Sequence, residues 1–478
     1  MSFQGDTAEH QQALLETFVE TPVVDKALKP DVPLVLGRKG TGKTAAFRRL
    51  VERPDQFTVV VLAPTPLRGQ RPWVLGANGF KQVEALLHSL NTDWREFWSL
   101  CIAIALHTEA RAAGHGPPAP DPRLAAVVGL SPSTELQFVD TIEAVLSKPG
   151  TGLLAADWLD RLDRAVPAPT LLLFDGLDTG FGNTDADRTR RRAAIEGLFS
   201  FLTDRGEQLR HIRLKIVLRE DLWRSLRFEN KNHLFGRSIS LKWNDQVDFL
   251  RVVLKQALRS KELVQFLAHR LDRYRDVPIE HWPTGIVFGV WNALVGERMK
   301  GGKTAFSRNW VWNQLADGNG DRTPRHLIQL FEEVVSWERK ESRTKPYDRS
   351  LIRPRGLIKS LPKVSPRALS ALEDEEFPEL AALFDRLREL RSSPVDARET
   401  EELGNDLVTL AREVGVLSVY EGSEDKVERY KVPDYLSRGP RHGAQGTDMK
   451  HGMLTQVELM ALYGFQTANV AANRGGNP

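Results

Sequence analysis

With 478 residues and 41% hydrophobic side chains, the chain is long enough to build two or three packed domains. Its 66 basic and 63 acidic side chains almost cancel, and the net charge of +3 excludes the global basic excess of a protein that binds nucleic acid by charge alone. Any basic face must therefore be local. The single cysteine, Cys101, excludes an internal disulfide and lies in an apolar run typical of an inert core thiol.

No targeting or membrane segment is expected. Residues 1–6 lack the charged-then-apolar layout of a signal peptide. No uninterrupted apolar run approaches the ~20 residues that a membrane-spanning helix needs, and the run 171–174 stops at Asp175. We therefore expect a cytoplasmic protein without a membrane span.

The first predicted elements surround a glycine-rich loop. Helical apolar spacing over 11–20 precedes a short buried strand at 32–36, and a helix is predicted over 45–51. Between strand and helix lies Gly37-Arg38-Lys39-Gly40-Thr41-Gly42-Lys43-Thr44, which matches the P-loop (Walker A) pattern G-x-x-x-x-G-K-[ST]. This order of strand, loop and helix predicts a site for a nucleoside triphosphate, which we expect to be ATP with Mg²⁺.

The loop has a chemical reason for each of its residue types. Inward-pointing backbone amides at the start of a helix form an anion site, and the glycines let the backbone come close to phosphate. Lys43 is expected to reach the β and γ phosphates, and the Thr44 hydroxyl is expected to hold Mg²⁺. A second Gly-Lys-Thr within 301–304 has no preceding strand, and its Gly296 is one residue out of register, so we expect an ordinary loop there.

Four further strands are predicted, at 58–64, 170–174, 214–218 and 238–241. Helical patterning over about 81–164 predicts an insertion between the second and third strands. Short apolar strands separated by helices are typical of a parallel α/β sheet. The predicted fold class is therefore α/β, with a P-loop NTPase core over 1–244 that carries a helical insertion.

Beyond the sheet the pattern changes to helix. We predict a helical lid over 245–337, a basic, proline-marked linker over 338–365 and a winged-helix-like domain over 366–437. The last of these rests on two helical patterns followed by a two-stranded hairpin around the turn at 421–425. The glycine-rich, mostly polar segment 438–478 is expected to be a flexible tail.

Two acids follow the third predicted strand. Asp175 comes directly after the buried run 170–174, at the end of a strand beside the loop, where Mg²⁺ needs a carboxylate. Asp178 is a candidate for orienting the attacking water in phosphoryl transfer. The alternative for Asp178 is that it caps the turn that follows.

Three arginines stand at positions suited to phosphate. Arg219 ends the fourth strand and can sense the γ phosphate there, and Arg325 lies at a predicted helix start in the lid. Arg237 precedes the fifth strand and is a candidate arginine finger toward a neighbouring subunit's nucleotide. An ordinary surface arginine is the alternative for each, because the chain contains many.

The glycine loop, the Asp175-Gly176-Leu177-Asp178 strand end, Arg219, the Thr-Pro-Arg sequence at Arg325 and the predicted C-terminal winged helix together resemble the bacterial AAA+/STAND group of P-loop ATPases. The resemblance spans about 6–436. It implies an ATP-driven switch in which nucleotide closes the lid, subunits associate into a homo-oligomer and hydrolysis resets them. Bacterial defence or stress signalling is the setting that it suggests.

The chain departs from that group in two respects. Gly176 stands where many AAA+ motors carry a second acid, which favours slow hydrolysis and a switch over a motor. The C-terminal part shows no repeat array or effector enzyme, which implies a separate protein effector or partner.

Two other functions are open at this point. A basic stretch between Arg339 and Lys363 leads into the predicted winged helix, which allows a DNA-binding AAA+ ATPase that places its winged helix on duplex DNA. A small-molecule phosphotransferase is the weaker alternative, because it needs neither the second acid nor the lid. The eleven histidines show no metal-ligand spacing, and the eleven tryptophans have the helical spacing of core residues.

Overall fold

The computed structural model describes residues 14–437, apart from 54, 126, 128–133, 183, 268–270, 272, 275, 300–304, 391–392 and 425. The predicted flexible tail at 438–478, the second Gly-Lys-Thr at 301–304 and the start of the helix predicted over 11–20 lie outside the described residues. Within the described residues, no helix has both the length and the apolar character needed to cross a membrane.

Five parallel strands form the central sheet, as predicted, in the order β2-β3-β4-β1-β5. Four of them are mostly buried and rich in Leu, Ile and Val, the composition expected of strands covered by helices on both faces. Their bounds are β1 (Leu34–Gly37), β2 (Thr58–Leu62), β3 (Thr170–Phe174), β4 (Ile212–Arg219) and β5 (Ser238–Ser240).

Parallel pairing determines which residues lie together at the edge of the sheet formed by the carboxyl ends of its strands. Gly37 at the end of β1 pairs in register with Arg219 at the end of β4, and β3 pairs with β4 on its other side. The glycine loop, Arg219 and Asp175 therefore leave the sheet at the same edge. Arg237 precedes β5, whose first residue pairs with Leu34 at the start of β1, so it lies at the opposite edge.

Nine helices of the described residues accompany this sheet, and four of them lie between β2 and β3, where the insertion was predicted. The helices other than α1 share one hydrophobic core with the sheet, and α5 is buried along most of its length. The helices are α1 (Leu14–Thr17), α2 (Pro22–Ala27), α3 (Lys43–Val51), α4 (Ala77–Leu90), α5 (Trp94–Ala112), α6 (Glu135–Leu146), α7 (Thr151–Ala165), α8 (Asp185–Asp204) and α9 (Glu220–Ser225).

A second hydrophobic core begins after the sheet and continues to the C-terminal elements. It packs the helices of the lid against those that follow, and among the described residues before the sheet Val19 alone contributes to it. Its first helices are α10 (Gln246–Ala257), α11 (Lys261–Phe266), α12 (Thr284–Val295), α13 (Ser307–Gln314), α14 (Pro324–Glu341) and α15 (Pro354–Ser370).

The linker predicted over 338–365 is wrong for most of its length. Helix α14 continues to Glu341 and α15 begins at Pro354, so the intervening non-helical segment is only 342–353. Prolines 362 and 366 stand inside α15 because its buried face, including Leu357 and Leu361, packs against α14 and offsets the lost backbone hydrogen bonds. Proline content alone therefore does not mark the end of a helix in this segment.

The last elements combine short helices with a small antiparallel sheet of order β6-β8-β7. A π-helical segment, Ala371–Glu376, connects α15 to them. The elements are α16 (Ala381–Leu390), β6 (Val395–Asp396), α17 (Arg398–Glu401), α18 (Asn405–Glu413), β7 (Ser418–Gly422), β8 (Val427–Lys431) and α19 (Asp434–Ser437). Short 3-10 turns occur at Thr65–Leu67, Pro122–Leu124, Gly206–Gln208, Lys231–Arg237, Ile279–His281 and Pro378–Leu380.

Candidate functional site

The glycine loop joins the end of β1 to the start of α3 and is built tightly. Gly40 and Gly42 have φ of +82° and +102°, a conformation that side chains strongly disfavour. A Cβ at Gly37 would lie 2.5 Å from Thr41 Oγ1. The loop is held from outside as well, since the Trp243 indole donates to the Thr41 carbonyl at 2.9 Å. The eight residues thus form a preformed turn at the amino end of a helix, suited to an anion.

Two lysines of the loop lose most of their contact with water. Burial lowers the pKa of Lys43, whose Nζ donates to the Arg38 carbonyl at 3.0 Å. Burial and then the charge of Arg325 lower the pKa of Lys39 to about 8. A bound phosphate would compensate both amines for this lost hydration, because an adjacent negative charge favours the protonated form.

Asp175 lies directly after β3, with its carboxylate facing the loop. The side chain is buried, Oδ1 accepts from the Gly176 amide at 2.8 Å, and the Thr44 hydroxyl hydrogen-bonds to the same carboxylate. Oδ2 is buried without a hydrogen-bond partner. Burial, followed by the charge of Asp178, raises the pKa of Asp175 to about 7. A buried carboxylate oxygen that lacks a partner, beside a hydroxyl, is a donor set that fits Mg²⁺.

No cluster of three or more His, Cys, Asp or Glu residues that could hold a metal ion occurs among the residues of known placement. A cation at Thr44 and Asp175 would therefore draw its remaining ligands from phosphate oxygens and water, which is the usual way in which nucleotide sites hold Mg²⁺.

Arg219, at the end of β4, contacts Asp178 and Asp221. Its side chain is buried and forms a two-pronged ion pair with Asp221 at 3.0 and 2.7 Å, while Asp178 Oδ2 lies 3.8 Å from its Nη1. Burial opposes its charge, but Asp221 and Asp178 together raise the pKa of Arg219 above its usual value. Helix α8, which follows, is capped by Thr184 and Asp187 instead of Asp178. Asp178 therefore lies beside the loop without capping that helix.

The structure explains why Gly176 stands next to Asp175. Its φ is +80°, and a Cβ there would lie 2.8 Å from the Pro64 nitrogen and 3.1 Å from the Ala63 carbonyl carbon. Both contacts are with backbone, which cannot move aside as the end of a side chain can. The position after Asp175 therefore has no room for a second acid.

Arg325 reaches the loop from the lid. It follows Pro324 at the start of α14, and its Cβ would lie 2.8 Å from a Cβ placed at Gly40. A second contact from the lid is the ion pair between Arg38 and the buried carboxylate of Asp317. The lid and the loop therefore contact each other through two arginine side chains, Arg325 of the lid and Arg38 of the loop.

The structure does not bring Arg237 to this site. It lies at the opposite edge of the sheet, because parallel β5 starts beside the start of β1, and its guanidinium pairs with Glu207. It lines a separate small cavity with Arg213 and Asp31. Arg237 therefore lies outside this chain's own site, and its role toward a neighbouring subunit's nucleotide stays a prediction.

A cavity of about 530 Å³ contains the site. This volume lies within the range of small-molecule and cofactor sites. Three parts of the chain line the cavity. The sheet domain contributes Lys43 and Asp178, the lid contributes Arg325, and the C-terminal part contributes Glu376 and Tyr435. Glu376, Tyr435 and Asp317 could not be predicted from the sequence, because no local pattern near them indicates phosphate.

The C-terminal part is fastened to the lid close to this cavity. The Tyr435 and His326 rings lie 4.7 Å apart, Gln314 donates to Asp434 at 3.1 Å, and the Gly318 amide donates to the Gly415 carbonyl at 2.7 Å. The cavity wall is thus continuous from the glycine loop to α19.

Three residues of the basic stretch that suggested DNA binding, Lys345, Arg353 and Lys363, form ion pairs with glutamates of α14. Arg353 is buried against Glu338 at 3.3 Å, and Lys363 lies 3.2 Å from Glu333. Arg367 lies within 3.6 Å of the same Glu333 carboxylate. Arg353 is therefore unavailable to DNA phosphates, whereas most cations of the stretch, including Arg343 and Lys359, are exposed and leave the DNA-binding alternative open.

A glycine loop between parallel strand β1 and a helix, with a buried acid after β3 on the far side of β4, defines a P-loop nucleotide-binding α/β fold. No protein-family model and no curated protein matches the chain. Among solved structures, the crystal structure of Cdc6p from Pyrobaculum aerophilum aligns over 91% of this chain and 95% of that chain, with 14% identity and a TM-score of 0.30. A TM-score this low establishes no shared function, so we base the functional assignment on the site itself.

Proposed function

We propose that this chain is an ATP-binding, Mg²⁺-dependent switch ATPase that couples the nucleotide in its P-loop to the arrangement of its lid and C-terminal part. The observation that carries the proposal is the shared cavity, whose wall combines Lys43, Arg325 and Glu376 from three parts of the chain. A ligand that contacts three parts favours the arrangement in which all three contacts are made.

The loop supplies the binding energy. Its backbone amides and Lys43 would hold the β and γ phosphates, Thr44 and Asp175 would hold Mg²⁺, and Arg325 would close on the phosphates from the lid. ATP supplies the phosphoanhydride bond whose hydrolysis resets the switch. Asp178, beside Arg219, is the acid proposed to orient the attacking water. We expect slow ATP hydrolysis, because position 176 carries glycine instead of a second acid.

The C-terminal part is proposed to act as a winged-helix domain. The order helix, short strand, two helices and hairpin supports this, together with pairing of β6 against β8. Its hairpin carries Glu421 and Glu428, which suit a protein surface better than DNA phosphates. The proposal therefore includes association with further copies of the chain and with a separate effector protein, in the bacterial signalling setting that the sequence resemblance suggests.

Fluorescent-nucleotide titration tests the assignment of the site. Lys43→Ala should weaken binding of Mg·ATP about a hundredfold, because a charge-assisted contact to phosphate is lost from a dry site. Lys303→Ala, from the second Gly-Lys-Thr, is the matched control and should bind as the wild type does. Equal affinity of Lys43→Ala and the wild type would refute the proposed function.

A further inference from the structure

Helix α15 carries cations along its exposed side. Arg355, Lys359, Lys363 and Arg367 follow one another at intervals of four residues, and all four are exposed. Four residues advance an α-helix by about 6 Å and rotate it by about 40° beyond one full turn. The four side chains therefore form a basic row about 18 Å long on one side of the helix.

The opposite side of α15 holds this row in place. Leu357, Leu361 and Val364 are buried, and α15 packs against α14. Its sequence contains no acidic residue that would interrupt the positive charge. Because the apolar side is already buried within the protein, α15 has no apolar face left to insert into a lipid surface.

Two cations of the basic row are not neutralised within the described part of the chain. Arg355 and Lys359 form no ion pair with any described residue, whereas Lys363 and Arg367 lie 3.2 and 3.6 Å from carboxylate oxygens of Glu333. Ion pairs at an exposed surface contribute little free energy, so a phosphate can compete with Glu333 for both of these cations.

Further cations lie at the Arg355 end of the row. Lys340 and Arg343 are exposed near the end of α14. The buried ion pair between Arg353 and Glu338 holds that end of α14 beside the start of α15. The positive surface therefore continues from the basic row onto the neighbouring helix end.

Helix α18 is poorly suited to a nucleic-acid duplex. It stands where a winged helix would carry the helix that enters the groove, but it exposes Asp406 and Glu413. Its Arg412 is paired with Glu424 of the hairpin turn. A duplex placed there would meet mainly negative charge, whereas α15 presents positive charge at regular intervals.

We infer that the basic row of α15 binds the phosphodiester backbone of a nucleic-acid duplex without reading its sequence. A row of about 18 Å spans about five base pairs of B-DNA at 3.4 Å each. Contacts to phosphate hold a duplex in position but carry no sequence information. Helix α15 contains no aromatic residue on which the bases of a single strand would stack, which favours a duplex.

Fluorescence anisotropy of the full chain with labelled duplexes of about 20 base pairs tests this. The wild type should bind two DNA duplexes of unrelated sequence equally, with an affinity that falls steeply as salt rises. Arg355→Gln/Lys359→Gln should bind both about tenfold more weakly, and the slope of log affinity against log salt should become shallower by about 2, because two phosphate contacts are lost. An RNA duplex titrated in parallel shows which source of the backbone is preferred, and binding of either that depends on Arg355 and Lys359 supports the inference.

Lys81→Gln/Arg164→Gln is the matched control, since it removes the same charge from exposed positions of the helical insertion and should bind the duplexes as the wild type does. Equal binding by Arg355→Gln/Lys359→Gln and wild type would overturn the inference. An equal loss in the control variant would also overturn it, because net charge alone would then be responsible. Binding of polyglutamate or of anionic phospholipid vesicles without any duplex binding at low salt would do the same, since the partner would then be an acidic protein or a membrane surface.

This inference is independent of the proposed nucleotide-binding function, because neither Arg355 nor Lys359 lines the nucleotide cavity. Both double variants should therefore bind Mg·ATP as the wild type does, which also shows that they are folded. Failure of the wild type to bind Mg·ATP, with duplex binding intact, would refute the proposed function and leave this inference standing.

Discussion

Asp175 provides the sharpest quantitative test, because burial raises its pKa to about 7, so that at acidic pH its carboxyl group must lose a proton to bind Mg²⁺. Burial, and then Asp178, raises its pKa to about 7, whereas an unfolded aspartate titrates near 3.8. At pH 6, a group with a pKa near 7 is about nine-tenths protonated, so Mg·ATP binding should release about 0.9 proton from Asp175. At pH 8 the release should fall to about 0.1 proton.

The measurement is calorimetry at pH 6 and pH 8 in buffers of different ionisation enthalpy, which gives the number of protons released on binding. Asp175→Asn removes the titrating group and preserves its shape, so its release should be smaller by about 0.9 proton at pH 6. Asp140→Asn, on an exposed position of α6, is the matched control and should match the wild type. Equal proton release by Asp175→Asn and wild type at pH 6 would refute the assignment of Asp175 as the metal carboxylate.

The same pKa also predicts a stability effect with a definite sign. The native state keeps a proton that the unfolded chain loses between about pH 4 and pH 7, so wild-type stability should fall across that window. A shift from 3.8 to about 7 corresponds to up to about 4 kcal/mol, at 1.36 kcal/mol per pH unit. Asp175→Asn should lack this pH-dependent loss, and urea midpoints at pH 5 and pH 8 measure the difference. A parallel pH dependence in wild type and Asp175→Asn would contradict this interpretation.

Two further predictions concern the surroundings of the loop. Gly176→Ala should lower the free energy of unfolding by about 1–3 kcal/mol, because a Cβ there meets the Pro64 backbone at positive φ, and an unchanged urea midpoint would contradict this. Arg325→Ala should weaken Mg·ATP binding at least tenfold, since it removes a charged donor from the cavity wall. Arg237→Ala, at the opposite edge of the sheet, should leave the affinity of a single chain unchanged; a loss there as large as that of Arg325→Ala would show that the placement of Arg237 is wrong.

The sheet and the loop could be predicted because their signals are local. Each buried strand appears as a short apolar run, and parallel pairing brings the residues after Gly37 and Phe174 to one edge. Asp175 was therefore found from its position after a strand. The same reasoning does not extend to Arg237, which precedes β5 and lies at the opposite ends of the strands, so its role toward a neighbouring subunit stays a prediction.

The remainder of the site depends on packing between distant segments, which no short pattern encodes. Glu376 and Tyr435 reach the cavity only because α15 and α19 pack together beyond the lid. The basic linker was predicted from prolines and charge, but the amphipathic face of α15 keeps Pro362 and Pro366 within a helix. The need for glycine at 176 likewise depends on the backbone of Pro64, more than a hundred residues earlier in the chain.

Hydrogen exchange of the full chain with and without Mg·ADP tests the central claim most directly, since that claim is one nucleotide site built from three parts. We predict slower exchange together in 37–44, in 323–329 and in 368–376, because all three segments line the same cavity. The Lys43→Ala variant should show none of these changes. Protection confined to 37–44, with the lid and the C-terminal part unaffected, would contradict the account.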